Sequence, residues 1–221
     1  MEERIIPLGL LRRGGVVKVE HNRTADLRDS PLLKAAQLCP GGIRTKAGVD
    51  VAGVLEHLED DDWEAVLLLL EEIGDAHPQP PQFWDLLADA ARLLWLAKDA
   101  YWYGWRSSEA RNGAVLAELC LMSPEEGGRT RPVPPGVVLR PMWDIGLLTP
   151  GGEPLLGIAI LWVEGRDPLE PGGCGAVRLL PLTFEHWRHL TPGDVITMHE
   201  IRPPIGTARI TEISPPVATG S

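Results

Sequence analysis

Between Pro124 and Gly136 the chain reads PEEGGRTRPVPPG, a run of prolines and glycines with no apolar period. Proline has no amide to give to a helix or a central strand, so neither element can cross this stretch. The patterns on its two sides differ. On the N-terminal side, apolar residues recur at helical spacing. On the C-terminal side come short runs rich in β-branched and aliphatic residues, VVLRPMW, LLGIAILWVEG, AVRLLPL, DVITMHE and TARITEI, separated by turn residues. Strands at that spacing predict a small barrel or sandwich. The expected fold is therefore α+β: a helical bundle followed by a small antiparallel β-barrel.

Within the first half, Asp60-Asp61-Asp62 supplies cap oxygens and negative charge to a helix start. Trp63, Val66, Leu67, Leu70 and Ile73 form its stripe. Leu68 and Leu69 make it apolar almost all round, which predicts a central position, and Gly74 is placed to end it. A shorter helix capped by Asp50 precedes it over Val49 to Leu58. After the stiff HPQPPQ connector, a further helix buries Phe83, Leu86, Leu87, Ala90, Leu94 and Ala97. A third is expected from Ser107 or Ser108 through Val115, Leu116, Leu119 and Cys120. Near the start, Gly14-Gly15 before VVKVE suggests a turn and a strand, and SPLLKAAQL a short helix. The expected organisation is a mainly helical domain over 1–122, a linker over 123–136, a barrel over 137–214 and a tail over 215–221.

The segment PGDVITMHEIRPPIGTARITEI, Pro192 to Ile213, carries a more specific signal. Pro192-Gly193-Asp194 is a turn before a strand. Met198-His199-Glu200 and Ile205-Gly206 follow at hairpin spacing, and Arg209-Ile210 continue the last strand. Gly206 permits a close approach that a Cβ would block. Residues from about 136 to 214 thereby resemble the C-terminal β-barrel domain of elongation factor Tu and small proteins like it. The resemblance implies the barrel and raises an association with RNA or the ribosome, for which Arg129, Arg131, Arg140 and Arg202 would form the basic strip. The pattern departs from the family at Ile201-Arg202-Pro203-Pro204, which replaces a glycine turn, and at Ala208. No GxxxxGK[ST] loop accompanies it.

The formal charge is −10. Nucleic-acid binders are usually basic on one face, so acidity favours a basic protein partner over nucleic acid. Glu56, Glu59, Asp60, Asp61, Asp62 and Glu64 concentrate it, either as a solvated helix start or as a binding surface. The opening residues lack the apolar stretch of a secretory signal, and no run is long enough to span a bilayer, so the expected setting is the cytoplasm without membrane contact. Cys39, Cys120 and Cys174 form no CxxC pair and are expected as buried thiols. His186, His189 and His199 lack a matching acidic or thiol ligand, and no metal or cofactor is expected. No GxSxG, HExxH or GxGxxG occurs, so no catalytic residue is assigned and an enzyme is disfavoured.

Tryptophan stands out: eight, against two Phe and two Tyr. Trp95, Tyr101, Trp102, Tyr103 and Trp105 crowd one region. Three successive aromatics cannot all face inward from one helix, so at least one must reach the barrel or a partner. Candidate partner-binding residues are Trp102, Tyr103, Trp105, Trp187, Asp60, Asp61, Asp62 and Arg202. The leading expectation is a non-enzymatic interaction module, such as an inhibitor of the immunity or antitoxin kind. The alternatives are an RNA- or ribosome-associated factor and an enzyme with a small-molecule cleft between the halves.

Overall fold

A computed structural model describes residues 30–45, 47–136, 139–200 and 203–218. The expected strand at VVKVE, residues Val137 and Val138, and Arg202 lie outside them. Among the described residues five helices, α1 (Pro31–Leu38), α2 (Val51–Glu59), α3 (Trp63–Ala76), α4 (Pro81–Leu93) and α5 (Ala97–Asn112), precede six strands. These are β1 (Ala114–Leu121), β2 (Met142–Leu148), β3 (Pro154–Val163), β4 (Cys174–Pro181), β5 (Val195–His199) and β6 (Pro204–Ser214). The strands close into an antiparallel barrel in the order β1-β4-β3-β2-β5-β6. The fold is α+β, with one hydrophobic core among the helices and another inside the barrel. Among the described residues no helix is long and apolar enough to cross a membrane.

Local chemistry accounts for most helix boundaries. Ser30 caps α1, its hydroxyl accepting from the Leu32 amide, and Asp50 caps α2 by accepting from the Gly53 amide at 3.2 Å. Asp62 occupies the cap position of α3 without a side-chain cap bond. The helix α3 is not enclosed on all sides: Leu68 is 66% exposed, while Val66, Leu67, Leu70 and Ile73 are buried. Nor does Gly74 end it, since α3 runs on to Ala76. Gly74 instead makes room for α4. A Cβ there would lie 2.5 Å from the Trp84 ring, too close for any side chain.

The third expected helix is corrected at both ends. It starts at Ala97, ten residues before Ser107, and stops at Asn112. Gly113, at φ +80°, turns the chain, and a Cβ there would meet Phe184 at 2.5 Å. Val115, Leu116, Leu119 and Cys120 then belong to β1. The apolar residues fit both periods: a helix reads 115, 116, 119 and 120, whereas a strand reads Val115, Ala117, Leu119 and Leu121. Pairing with β4 and β6 selects the strand, which buries the second set. The barrel therefore begins before the proline-rich stretch. Ser107, in mid-helix, donates to Asp85 at 2.7 Å and ties α5 to α4.

At the far end, Pro192-Gly193-Asp194 turns with Gly193 at φ +99°. The Gly193 amide donates to the Ile210 carbonyl and the Ile210 amide to that of Asp194, which seats the turn on β6. Along β6, Ala208 and Ile210 are buried while Thr207 and Arg209 are exposed. Gly206 opposes Leu121, and a Cβ on it would stand 2.7 Å from the Cys120 carbonyl oxygen.

The cysteines overturn one expectation. Cys120 and Cys174 are register partners on β1 and β4 and form a disulfide across 54 residues. Sequence spacing conceals such a pair because strand register alone brings it together. Cys39 stays free, and burial pushes its thiol up to about 11. Thiol titration of the denatured, unreduced protein should therefore find one free cysteine, and three after reduction. Changing Cys120 and Cys174 together to serine should cost about 2–4 kcal/mol in urea unfolding, the usual worth of closing a loop of this length.

Candidate interaction surfaces

The aromatic residues are gathered by α5 against β3. Tyr103 turns into the helical core, 2% exposed and stacked near Trp84. Its hydroxyl donates to Glu71 Oε2 at 3.0 Å. Burial, then the Glu71 charge, raise its pKa above the ordinary phenol value. Tyr101, Trp102 and Trp105 instead converge on Trp162 of β3, with ring centroids at 5.4, 5.3 and 5.1 Å. The aromatic surplus is thus a seam between helices and barrel. Trp162 is the residue missed from sequence. Its outward position on β3, opposite buried Leu161 and Val163, is the signal that would have found it.

A charged chain runs beside these rings. Trp105 Nε1 donates to Glu109 Oε1 at 2.7 Å, and Arg178 of β4 donates to Glu109 Oε2 at 2.9 Å. Arg178 also holds Glu164 at 2.5 Å. Burial acts to lower the Arg178 pKa, but Glu109 and Glu164 together outweigh it, and the net shift is upward. Arg106 pairs with Asp75 and places its guanidinium 4.2 Å over the Trp84 ring. Its Nε lies 3.0 Å from Glu109 Oε2 without the alignment of a hydrogen bond, so that contact is ionic rather than directional. Glu109, expected at a helix start, is in fact the 8% exposed hub of the seam.

Below this chain a cleft of about 720 Å³ opens between the halves, lined among others by Asp75, Gln79, Arg106, Glu109, Arg178 and Glu212.

The acidic run sits elsewhere. Asp60, Asp61 and Asp62 are exposed in the α2–α3 connection, with Glu56, Glu59 and Glu64 exposed around them. Asp61 adopts φ +61°. The Asp62 amide reaches the His57 carbonyl and the Asp61 amide that of Leu58, a left-handed helix terminus. Next to Asp62, Trp63 joins Pro31, Leu32, Ala90, Leu93 and Leu94 in an apolar groove of about 370 Å³.

At the end of α4 the same terminus motif recurs with an unsuitable residue. The Leu96 amide donates to the Ala91 carbonyl and the Trp95 amide to that of Arg92. This puts Trp95 where glycine is normally found, at φ +61°. The left-handed backbone costs a side-chain-bearing residue about 1–2 kcal/mol. Yet the indole gains no burial in return, being 92% exposed beside Leu93 at 69%.

Trp187 is 1% exposed in the barrel core. His189 Nε2 lies 2.7 Å from the Ile145 carbonyl oxygen, and His186 is in a short 3-10 turn, Phe184–Trp187. Among the described residues no group of three His, Cys, Asp or Glu side chains is placed to hold a metal ion. Arg129 pairs with Glu200. No family model matches the chain, and no curated protein matches it in sequence.

Proposed function

We propose that the protein is a non-enzymatic interaction module that captures a basic protein partner on its helical half. The observation that carries this is Trp95: a bulky aromatic held in a glycine conformation and presented to solvent. Strain without burial suggests a residue kept for a partner, and tryptophan dominates binding hot spots. The apolar groove past Leu93 would take an aliphatic side chain. The exposed carboxylates of Asp60, Asp61 and Asp62, next in sequence to the groove residue Trp63, would steer and pair with lysine or arginine around it. An inhibitor of the immunity or antitoxin kind is the form of this reading that the acidity favours. We also propose kinship of the barrel with that of elongation factor Tu, supported by the Pro192–Asp194 turn and Gly206. The cytoplasm is proposed as the compartment for a dithiol form only. A Cys120–Cys174 bridge that persists at thiol trapping in cells points to an oxidising one.

Trp95→Gly separates binding from folding. It should raise stability by about 1 kcal/mol, because glycine relieves the left-handed backbone. The same change should weaken binding of an amphipathic Leu/Lys 18-mer at least about tenfold, as loss of an aromatic anchor does. Asp60→Asn with Asp61→Asn should flatten the salt dependence of that binding, and asparagine tolerates the left-handed turn at position 61. Titration by fluorescence anisotropy at two salt concentrations reads both effects. Unchanged affinity in both variants would overturn the proposal.

A further inference from the structure

The Cys120–Cys174 bridge lies on the outer face of the barrel. Along β1 the inward residues Val115, Ala117 and Leu119 are buried, so Cys120 points outward with exposed Glu118. Its register partner Cys174 is exposed, and Cys120 itself is half-buried. The Leu121 amide donates to the Gly173 carbonyl at 2.9 Å. Pairs with and without backbone bonds alternate along an antiparallel ladder, which makes Cys120–Cys174 a pair without backbone bonds of its own. Opening the bridge therefore leaves the ladder intact. β1 stays registered with β4 from Val115 to Leu119, and with β6 on its other side.

The two sulfurs are not equally open to attack. In thiol–disulfide exchange the incoming thiolate enters opposite the sulfur that leaves, so access from that direction decides which sulfur reacts. The bridge runs across the two strands. A thiolate thus reaches Cys120 from the β6 side and Cys174 from the β3 side. On the β6 side Cys120 is paired with Thr207, an exposed residue whose β-branched side chain stands on the same outer face. On the β3 side the ladder has run out: β3 ends at Val163 opposite Val177, and Cys174 lies past that end. Gly172 and Gly173, just before Cys174, add no side chain to the approach. Cys39 is a poor competitor, because burial raises its thiol to about 11 and the thiolate is the reactive form.

We propose that Cys174 is a thiolation site for a low-molecular-weight thiol, with Cys120 as its resolving cysteine. The small thiolate attacks Cys174 Sγ and a new sulfur–sulfur bond forms there. The Cys120–Cys174 bond breaks, and its electron pair leaves on Cys120 Sγ, which takes a proton from water. One disulfide replaces another, so no oxidant is consumed. Cys120, held in register, reverses the step by attacking Cys174 Sγ and expelling the small thiol. The site is on the barrel and does not depend on the function proposed for the Trp95 surface.

The folded protein treated with reduced glutathione and quenched with excess N-ethylmaleimide tests this by peptide mass mapping. Glutathione on Cys174 with maleimide on Cys120 should exceed the reverse arrangement by about tenfold or more, since access separates the two sulfurs. Thr207→Ala, which clears the β6 side, should lower that preference severalfold, and Thr207→Val, of the same shape as threonine, should keep it. Mere exposure of Cys174 would leave all three proteins alike. Cys120→Ser loaded with oxidised glutathione should hold its adduct after desalting, whereas the unsubstituted protein should expel glutathione and recover the bridge. The proposal is overturned if no mixed disulfide forms without urea, if glutathione divides evenly or favours Cys120, or if Thr207→Ala leaves the preference unchanged. Loss of the adduct from Cys120→Ser on desalting would also overturn it, by removing the resolving role of Cys120.

Discussion

Glu109→Ala is expected to be among the most destabilising single changes in the chain, at about 3–5 kcal/mol, the usual cost of breaking a buried ion pair from one side. The carboxylate accepts from Trp105 and Arg178 and faces Arg106, while being 8% exposed. Removing it strands two guanidiniums, side chains only 11% and 15% exposed, each with one remaining partner. Glu109→Gln should cost less, since its oxygen still accepts one bond but it cannot neutralise two cations. The double change Glu109→Leu with Arg178→Met should recover only part of the loss, because it removes both members of one buried pair but leaves the Trp105 indole N–H without its acceptor and Arg106 with Asp75 alone. Urea unfolding of the three variants orders them. A loss below about 1 kcal/mol for Glu109→Ala would mean that the pair behaves as a surface ion pair, contrary to its burial.

Trp162→Ala tests the seam from the barrel side. Trp162 is only half-buried, so the deletion should fall somewhat below the usual cost for a fully enclosed tryptophan, at about 2–4 kcal/mol. That figure includes the loss of three ring contacts, each toward the lower end of the about 0.5–1.5 kcal/mol that aromatic pairs contribute beyond area. The qualitative effect is more telling. The helices and the barrel have separate cores, and the Trp162 cluster with the Glu109 network joins them. Without Trp162 the two should unfold in separable steps, visible as non-coincident far-UV and tryptophan-fluorescence melts. Trp162→Phe should keep a single transition. Coincident melts for Trp162→Ala would show that the remaining contacts suffice to couple the halves.

Several of these features could be read from residues alone. The Asp50 cap marked α2, and the aromatic crowding required a second surface. The break at β1 was not legible, because Val115 to Leu121 satisfies both periods over so few residues that only a partner strand can choose between them. Gly74 shows another limit. A glycine near a helix end reads as a stop, whereas here α4 lies so close that no side chain fits. In the sequence Trp95 is one tryptophan among eight. Its left-handed backbone and exposure arise from the helix terminus formed around it.

Local pattern by itself determined the class: helices where apolar residues recur every three or four, strands where they alternate, and a break where proline withholds its amide. Those are short-range properties, set by the backbone's hydrogen-bonding needs and the geometry of consecutive residues. Only the tertiary structure decided that Cys120 faces Cys174, that Glu109 sits between two arginines, and that Trp162 meets three aromatic rings of α5. Each depends on residues far apart in the chain. Their placement follows from strand register and from how α5 lies on the barrel, neither of which any single window of sequence contains.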